Sequence, residues 1–190
     1  MEQNYVEGKT FHKIDFTQKH LEVGEYEDCQ FIACDFSNSS FANIKFIDCK
    51  FQDCNLSMVI LNGTALRDIS FVHCKMLGLR FESCNKFFLS VNFDHCNLNH
   101  SSFYQVKIKK TAFKNSQLHE ADFTEADLSA SVFENCDLLH ATFDGTNIES
   151  ADLRSSFNYI IDPDNNRIKK AKFSSSGLSG LLVKYDIEIE

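Results

Sequence analysis

Apolar residues recur at every fifth position of this chain, a spacing that neither an α-helix nor a β-strand places on a single face. The series runs Phe11, Phe16, Leu21, Tyr26, Phe31, Phe36, Phe41, Phe46, Phe51, Leu56, Leu61, Leu66, Phe71, Met76 and Phe81 without an exception. The phase slips by two residues within Cys84 to Phe88. It resumes as Phe88, Phe93, Leu98, Phe103, Ile108, Phe113, Leu118, Phe123, Leu128, Phe133, Leu138, Phe143, Ile148 and Leu153. Two places before most of these sits a small or modestly apolar residue, such as Cys29, Cys34, Ser39, Thr64, Ala121, Ala126 or Ser131. The other three positions are mostly polar. Inward positions separated by two and then three residues fit a short extended piece followed by a corner. Several such sides close a coil, and stacked coils pair through their backbones. One unit cannot bury its own large side chain, so stability comes from stacking. The expected fold is an all-β solenoid.

The 190 residues suit one domain, and 19 Phe argue against a disordered chain. A net charge of −8 excludes a simple role in binding nucleic acid or an anionic membrane, since both reward cations. No apolar run is long enough to span a bilayer. The opening MEQNYVEGKTFHK lacks the charged start and apolar stretch of a secretory signal, so a cytoplasmic location is expected.

Chemistry-bearing residues are absorbed by the repeat. Cys29, Cys34, Cys49, Cys54, Cys74, Cys96 and Cys136 fall on the small inward position, and Cys84 would too but for the slip. Cys34, Cys54 and Cys74 are spaced to stack in one column. Reduced thiols filling the core are expected rather than a zinc site or disulfides. None of the seven His takes an inward position, although His95 and His100 are placed near each other. No GxSxG, HExxH, GxGxxG or GxxxxGK[ST] pattern occurs. No enzyme activity, catalytic residue, metal or cofactor is expected.

The units ADFTE (121–125), ADLSA (126–130), CDLLH (136–140), ADLRS (151–155), CNLSM (54–58) and CNLNH (96–100) resemble the A(D/N)LXX motif of the pentapeptide repeat family. The resemblance covers roughly residues 10–157. It implies a right-handed quadrilateral β-helix with four pentapeptides per coil. About seven coils at about 4.8 Å each would make a rod roughly 35 Å long. After Leu153 the chain continues NYIIDPDNNRIKKAKF and then SSSGLSGLLVKYDIEIE. This ending is similar to that of the Qnr-type quinolone-resistance and microcin immunity proteins. The similarity implies a rod over 1–157 and a cap and dimerisation segment over 158–190. That segment would hold a repeat remnant at 171–173, a helix near Leu178 to Tyr185 and a strand over DIEIE. It also implies a homodimer and a partner, DNA gyrase or another type II topoisomerase, bound by imitation of duplex DNA. The alternative is a general interaction scaffold with another protein partner.

Charge by segment bears on that choice. Residues 115–153 hold nine acids and no Lys or Arg: Glu120, Asp122, Glu125, Asp127, Glu134, Asp137, Asp144, Glu149 and Asp152. All are outward, and on four sides they form a belt. Asp122, Asp127, Asp137 and Asp152 also satisfy the fold motif by themselves. Lys107, Lys109, Lys110 and Lys114 cluster in the preceding segment and would repel a basic groove. At the slip, Asn85, Lys86 and Phe87 are the outward members of a bulge. Phe87 either anchors a partner or, the favoured reading, folds over the neighbouring coil. At the ends, Lys9 and Lys19 occupy inward positions and suggest a polar first coil. Leu178, Leu181, Leu182, Val183, Tyr185, Ile187 and Ile189 form an apolar cluster suited to capping the rod and joining two copies.

Overall fold

The computed structural model describes residues 4–87 and 89–188. The fivefold spacing folds as expected into a parallel β-solenoid with four sides, here named after Phe11, Phe16, Leu21 and Tyr26. Strands stack in register 20 residues apart: Phe11 pairs with Phe31, Phe31 with Phe51 and Phe51 with Phe71. Across the slip the register is Phe71 with Phe93, and it then returns to Phe93 with Phe113 and Phe113 with Phe133. The slip therefore makes one coil two residues longer and leaves every later column aligned with the earlier one. The Phe11 side is a seven-stranded sheet and the Tyr26 side a four-stranded sheet. Single bridges carry the other two sides, for example Asp35 to Asn55 and Ser102 to Asp122.

Most corners turn at the second residue after a central one, where the backbone enters the left-handed region, as at Asn38 (φ 57°), Asp48 (φ 51°) and Asn115 (φ 48°). Asn, Asp, His and Gly recur there, and no described corner of this kind is β-branched. That selection follows from the clash a branched Cβ meets at positive φ. On the Phe16 and Leu21 sides a second device fixes the turn. The carboxylate before the central residue accepts the backbone N–H of the residue after it: Asp35 from Ser37 at 2.8 Å, Asp122 from Thr124 at 2.9 Å and Asp137 from Leu139 at 3.2 Å. Asp127 and Asp152 do the same on the other sides. This gives the Asp of the repeat motif its structural reason.

The core is a set of ladders. On the Phe11 side successive rings stack at 4.8, 4.7, 5.2, 5.5, 5.1 and 4.7 Å between centroids. Each fully buried Phe contributes about 1.5–3 kcal/mol by burial, and each ring pair about 0.5–1.5 kcal/mol beyond it. The small inward residue ties neighbouring coils together by donating to a central carbonyl of the previous coil. Thr64 reaches the Phe41 carbonyl at 2.8 Å, Ser156 that of Phe133 at 2.7 Å, and the thiols of Cys49 and Cys136 reach Tyr26 and Phe113 at 3.2 and 3.3 Å. All eight cysteines are buried free thiols. Cys84 keeps its inward place, contrary to expectation, because the extra residues enter after it. Burial pushes the Cys49, Cys84 and Cys136 thiols up to about 12, so they remain neutral.

At the N-terminal end, Lys9 and Lys19 line a cavity of about 280 Å³ with Val6, Phe11, Ile14 and Phe16. The Lys9 ammonium lies 5.9 Å from the Phe11 ring centroid, so a cation covers the open apolar mouth. At the other end, bridges Asp137 to Phe157, Asn147 to Arg167 and Asp152 to Lys172 carry the rungs past residue 157. The chain then folds back as a 3-10 turn (Ser175–Gly177), one α-helical turn (Ser179–Leu182) and a second 3-10 turn (Val183–Tyr185). Gly177 and Gly180 lie against Tyr159, where a Cβ would stand 1.9 Å from its Oη and 2.1 Å from its carbonyl oxygen. Lys184 ties the tail down through ion pairs with Asp162 and Asp164. The expected strand does not form over 186–188, where no neighbouring edge pairs with the alternating pattern; residues 189 and 190, and Phe88 at the slip, lie outside the described residues.

Candidate partner-binding surface

The nine acids of 115–153 all lie on outward positions, but their charges are not equivalent. On three sides the neighbouring coils supply cationic or ionisable partners. Asp127 pairs with Lys109 at 3.1 Å, Glu134 with Lys114 at 3.5 Å and Glu149 with Arg167 at 3.0 Å. Asp152 sits between Arg154 at 2.7 Å and Lys172 at 3.7 Å, and the Arg154 guanidinium holds its carboxyl down to about 2. On the Phe16 side Glu120 and Asp137 face His100 and His119 at 3.3 and 2.8 Å. The Leu21 side differs. Asp122, Glu125 and Asp144 have no cationic partner among the described residues; Gln105 and Asn165 donate to Glu125 and Asp144 instead. The belt of carboxylates is therefore a belt in composition, while uncompensated charge collects on one side.

The Lys107–Lys114 cluster has the same explanation seen from below. Lys107 is in register with Asp127, and Lys109 and Lys114 reach acids of the next coil. These lysines and the acids of 115–153 are stacked neighbours in space. The bulge is placed as a protrusion on the Tyr26 side. Asn85 accepts the Phe87 N–H at 3.0 Å, and Phe87 is 75 % exposed. The reading that Phe87 folds over the next coil is thus corrected: the Asn85 turn points it outward, and the half-buried Leu89 packs against the core in its vicinity.

A family model described as a pentapeptide repeat region matches residues 25–86 and 78–153, more than half of the chain. The chain belongs to the pentapeptide repeat family. Among solved structures it is similar to a trypsin-treated form of QnrB1, a plasmid-mediated fluoroquinolone resistance protein. That match has a TM-score of 0.77 at 21% identity and covers 98% of this chain and 92% of that one. Full-length QnrB1 gives a TM-score of 0.63 at 20% identity, over 97% of this chain and 100% of that one. At such identities the likeness is one of fold. No curated protein sequence matches this chain.

Within this pentapeptide repeat protein the remaining candidates separate cleanly. His95 does not join His100: its ring lies tilted against that of His73 one coil away, centroids 4.7 Å apart, and contacts Asp94 at 2.8 Å. His100 instead faces Glu120 at the same corner of the following coil. Among the described residues no cluster of three or more His, Cys, Asp or Glu is arranged to hold a metal ion. No helix of the described residues is long and apolar enough to cross a membrane. In the tail, Leu181 is buried and Leu182 half-buried as caps of the rod, while Leu178, Val183, Tyr185 and Ile187 are exposed. With Leu139, Phe157 and Ile160, Val183 borders a cavity of about 510 Å³ between tail and rod. Sequence reasoning missed Phe157 and Ile160, which fall where the five-residue pattern has already lapsed.

Proposed function

We propose that this chain is a non-catalytic pentapeptide repeat protein that binds a protein partner through the outside of its rod, and that the partner is DNA gyrase or another type II topoisomerase. In that role it would stand in for duplex DNA and protect the enzyme from a quinolone or a microcin-type toxin. The observation that carries the reading is the uncompensated carboxylate row of Asp122, Glu125 and Asp144 on one side of a narrow rod. Such a row meets a basic groove favourably, and the attraction weakens as salt rises. The fold shared with QnrB1 supports the same reading. The Asp122→Lys, Glu125→Lys and Asp144→Lys variant should lose inhibition or protection of gyrase supercoiling at low salt, while Glu134→Gln with Glu149→Gln should retain it. Absence of any effect of the unmodified protein at large excess over gyrase would remove topoisomerases and leave the general scaffold.

We further infer that two rods join through the tail. The exposed Leu178, Val183, Tyr185 and Ile187 form more apolar surface than a lone cap requires. Deleting 174–190 should convert a dimer to monomer or aggregate in sedimentation, and a dimer that survives the deletion would exclude this joint.

A further inference from the structure

The bulge creates the one place on the described surface where the chain departs from the rod and exposes an aromatic ring beside unpaired cations. A cavity of about 330 Å³ opens between the protrusion and the next coil, lined by Lys86, Phe87, Leu89, Gln105, Val106 and Lys107. Val106 is buried and Leu89 half-buried, so the floor is apolar. Both charged lining residues are lysines, and no carboxylate lines the cavity. Among the described residues neither Lys86 nor Lys107 has an ion pair, whereas Lys109 and Lys114 are each held by an acid. Gln105 already spends its amide on Glu125 at 2.7 Å. The groove therefore presents apolar area and two free positive charges, on a protein whose net charge is −8.

We propose that this groove is a second contact site, which takes an acidic segment of a partner protein carrying one apolar side chain between carboxylates. A volume near the small end of ligand sites, roughly 300 Å³, admits one large side chain rather than a helix. Phe87 would cover that side chain, and Lys86 and Lys107 would bind the flanking carboxylates. The Asn85 turn fixes the Phe87 backbone before binding, which lowers the ordering cost. The site is opposite in charge to the Leu21 side, so it addresses a different part of a partner and does not depend on that partner being a topoisomerase.

The test uses fluorescence anisotropy of a labelled peptide, Gly-Asp-Glu-Phe-Glu-Asp-Gly, titrated with the full chain. Saturable binding is expected, weakened about tenfold or more by Phe87→Ala, as for an interface hot spot. Lys86→Glu with Lys107→Glu should weaken it further, and Lys50→Glu, in another part of the rod, should not change it. Phe87 is exposed, and circular dichroism would establish that the variants keep the fold. Equal binding of a peptide with Lys in place of its acids, indifference to Phe87→Ala, or no saturation would overturn the proposal. So would self-association of the unmodified chain that Phe87→Ala abolishes. Asp186, Ile187 and Glu188 are themselves an exposed acid–apolar–acid run, and that outcome would make a second copy the occupant.

Discussion

The halves of the rod on either side of the bulge fill the same four-sided core in different ways. In the coil from Tyr26 to Phe41 all four central residues are aromatic, and neighbouring rings meet at 6.1, 5.6 and 5.0 Å. After the bulge the rings retreat to two opposite sides. Phe93, Phe113 and Phe133 alternate with Phe103, Phe123 and Phe143, while Leu and Ile take the other two sides. Rings there stack within a side at 5.1 and 4.7 Å and meet edge to face across the core at 5.9 to 6.1 Å. In one coil before the bulge the inward residues compensate for lost rings. Beside the four aromatics stand Gly24, Cys34, Cys29 and Ser39, and a Cβ on Gly24 would already lie 2.4 Å from the Asn4 carbonyl oxygen. Where Leu66 and Met76 replace rings, the inward set grows to Thr64, Ile69, Cys74 and Leu79. After the bulge the inward residues stay small, as at Thr111, Ser116, Ala121 and Ala126, so the exchange of ring for inward volume is confined to the coil of Leu66 and Met76.

Breaking that comparison has the largest expected effect at a buried ring that others meet both along its side and across the core. Phe113 is fully buried and contacts the rings of Phe93, Phe133, Phe103 and Phe123. Phe113→Ala should cost about 3–5 kcal/mol in urea unfolding. Phe36→Leu places in the crowded coil the residue that the next coil of the same side carries as Leu56, so it should cost less than about 1.5 kcal/mol. A cost for Phe36→Leu as large as that for Phe113→Ala would mean that the all-aromatic coil cannot accept the Leu that the next coil carries.

How much of this was legible beforehand follows from the same geometry. The inward columns were readable because each position faces either core or solvent, and Phe11 through Leu153 declare their direction by type. The inward cysteines were readable for the same reason. The ion pairs were not read, because partners such as Lys114 and Glu134 are a whole coil apart in the chain and were counted in separate segments. Counting a coil length forward would have found Lys114 above Glu134. The direction of Phe87 was beyond reach, since a bulge suspends the rule that assigns every other ring. The strand expected over DIEIE rested on alternation alone, and alternation without a partner edge does not make a strand.

The inward donors sharpen the comparison at intermediate cost. Hydroxyls predominate in this role after the bulge, where Thr146 donates to Phe123 at 2.8 Å, and thiols before it, where Cys54 donates to Phe31 at 3.3 Å. Thr146→Val strips a buried carbonyl of a good donor and should cost about 1–3 kcal/mol. Cys54→Ser exchanges a weak donor for a strong one in the same place and should change stability by less than about 1 kcal/mol. Thermal unfolding of both variants checks the pair. A cost for Cys54→Ser as large as that for Thr146→Val would show that the thiol is there for its volume and not for its proton.

The smallest effect separates the charged and neutral forms of the corner carboxylate. Asp152 accepts the Arg154 N–H and also faces the Arg154 and Lys172 side chains, whereas Asn147, in the same place on the adjacent side, accepts the Glu149 N–H with no charge of its own. Asp152→Asn should therefore keep the turn and lose only the ion pairing, worth less than about 1 kcal/mol on a partly exposed surface. The Asp152 carboxyl is lowered from 3.8 to about 2 in the folded chain, first by the Arg154 hydrogen bond. A lowered pKa stabilises the fold above the unfolded value and ceases to do so as pH falls through the folded one. The unmodified protein should thus be the more stable of the two above about pH 4, with the difference closing between about pH 4 and pH 2. Urea midpoints measured across that window decide it: a difference that persists at the lowest pH would assign the role of Asp152 to turn geometry instead of charge.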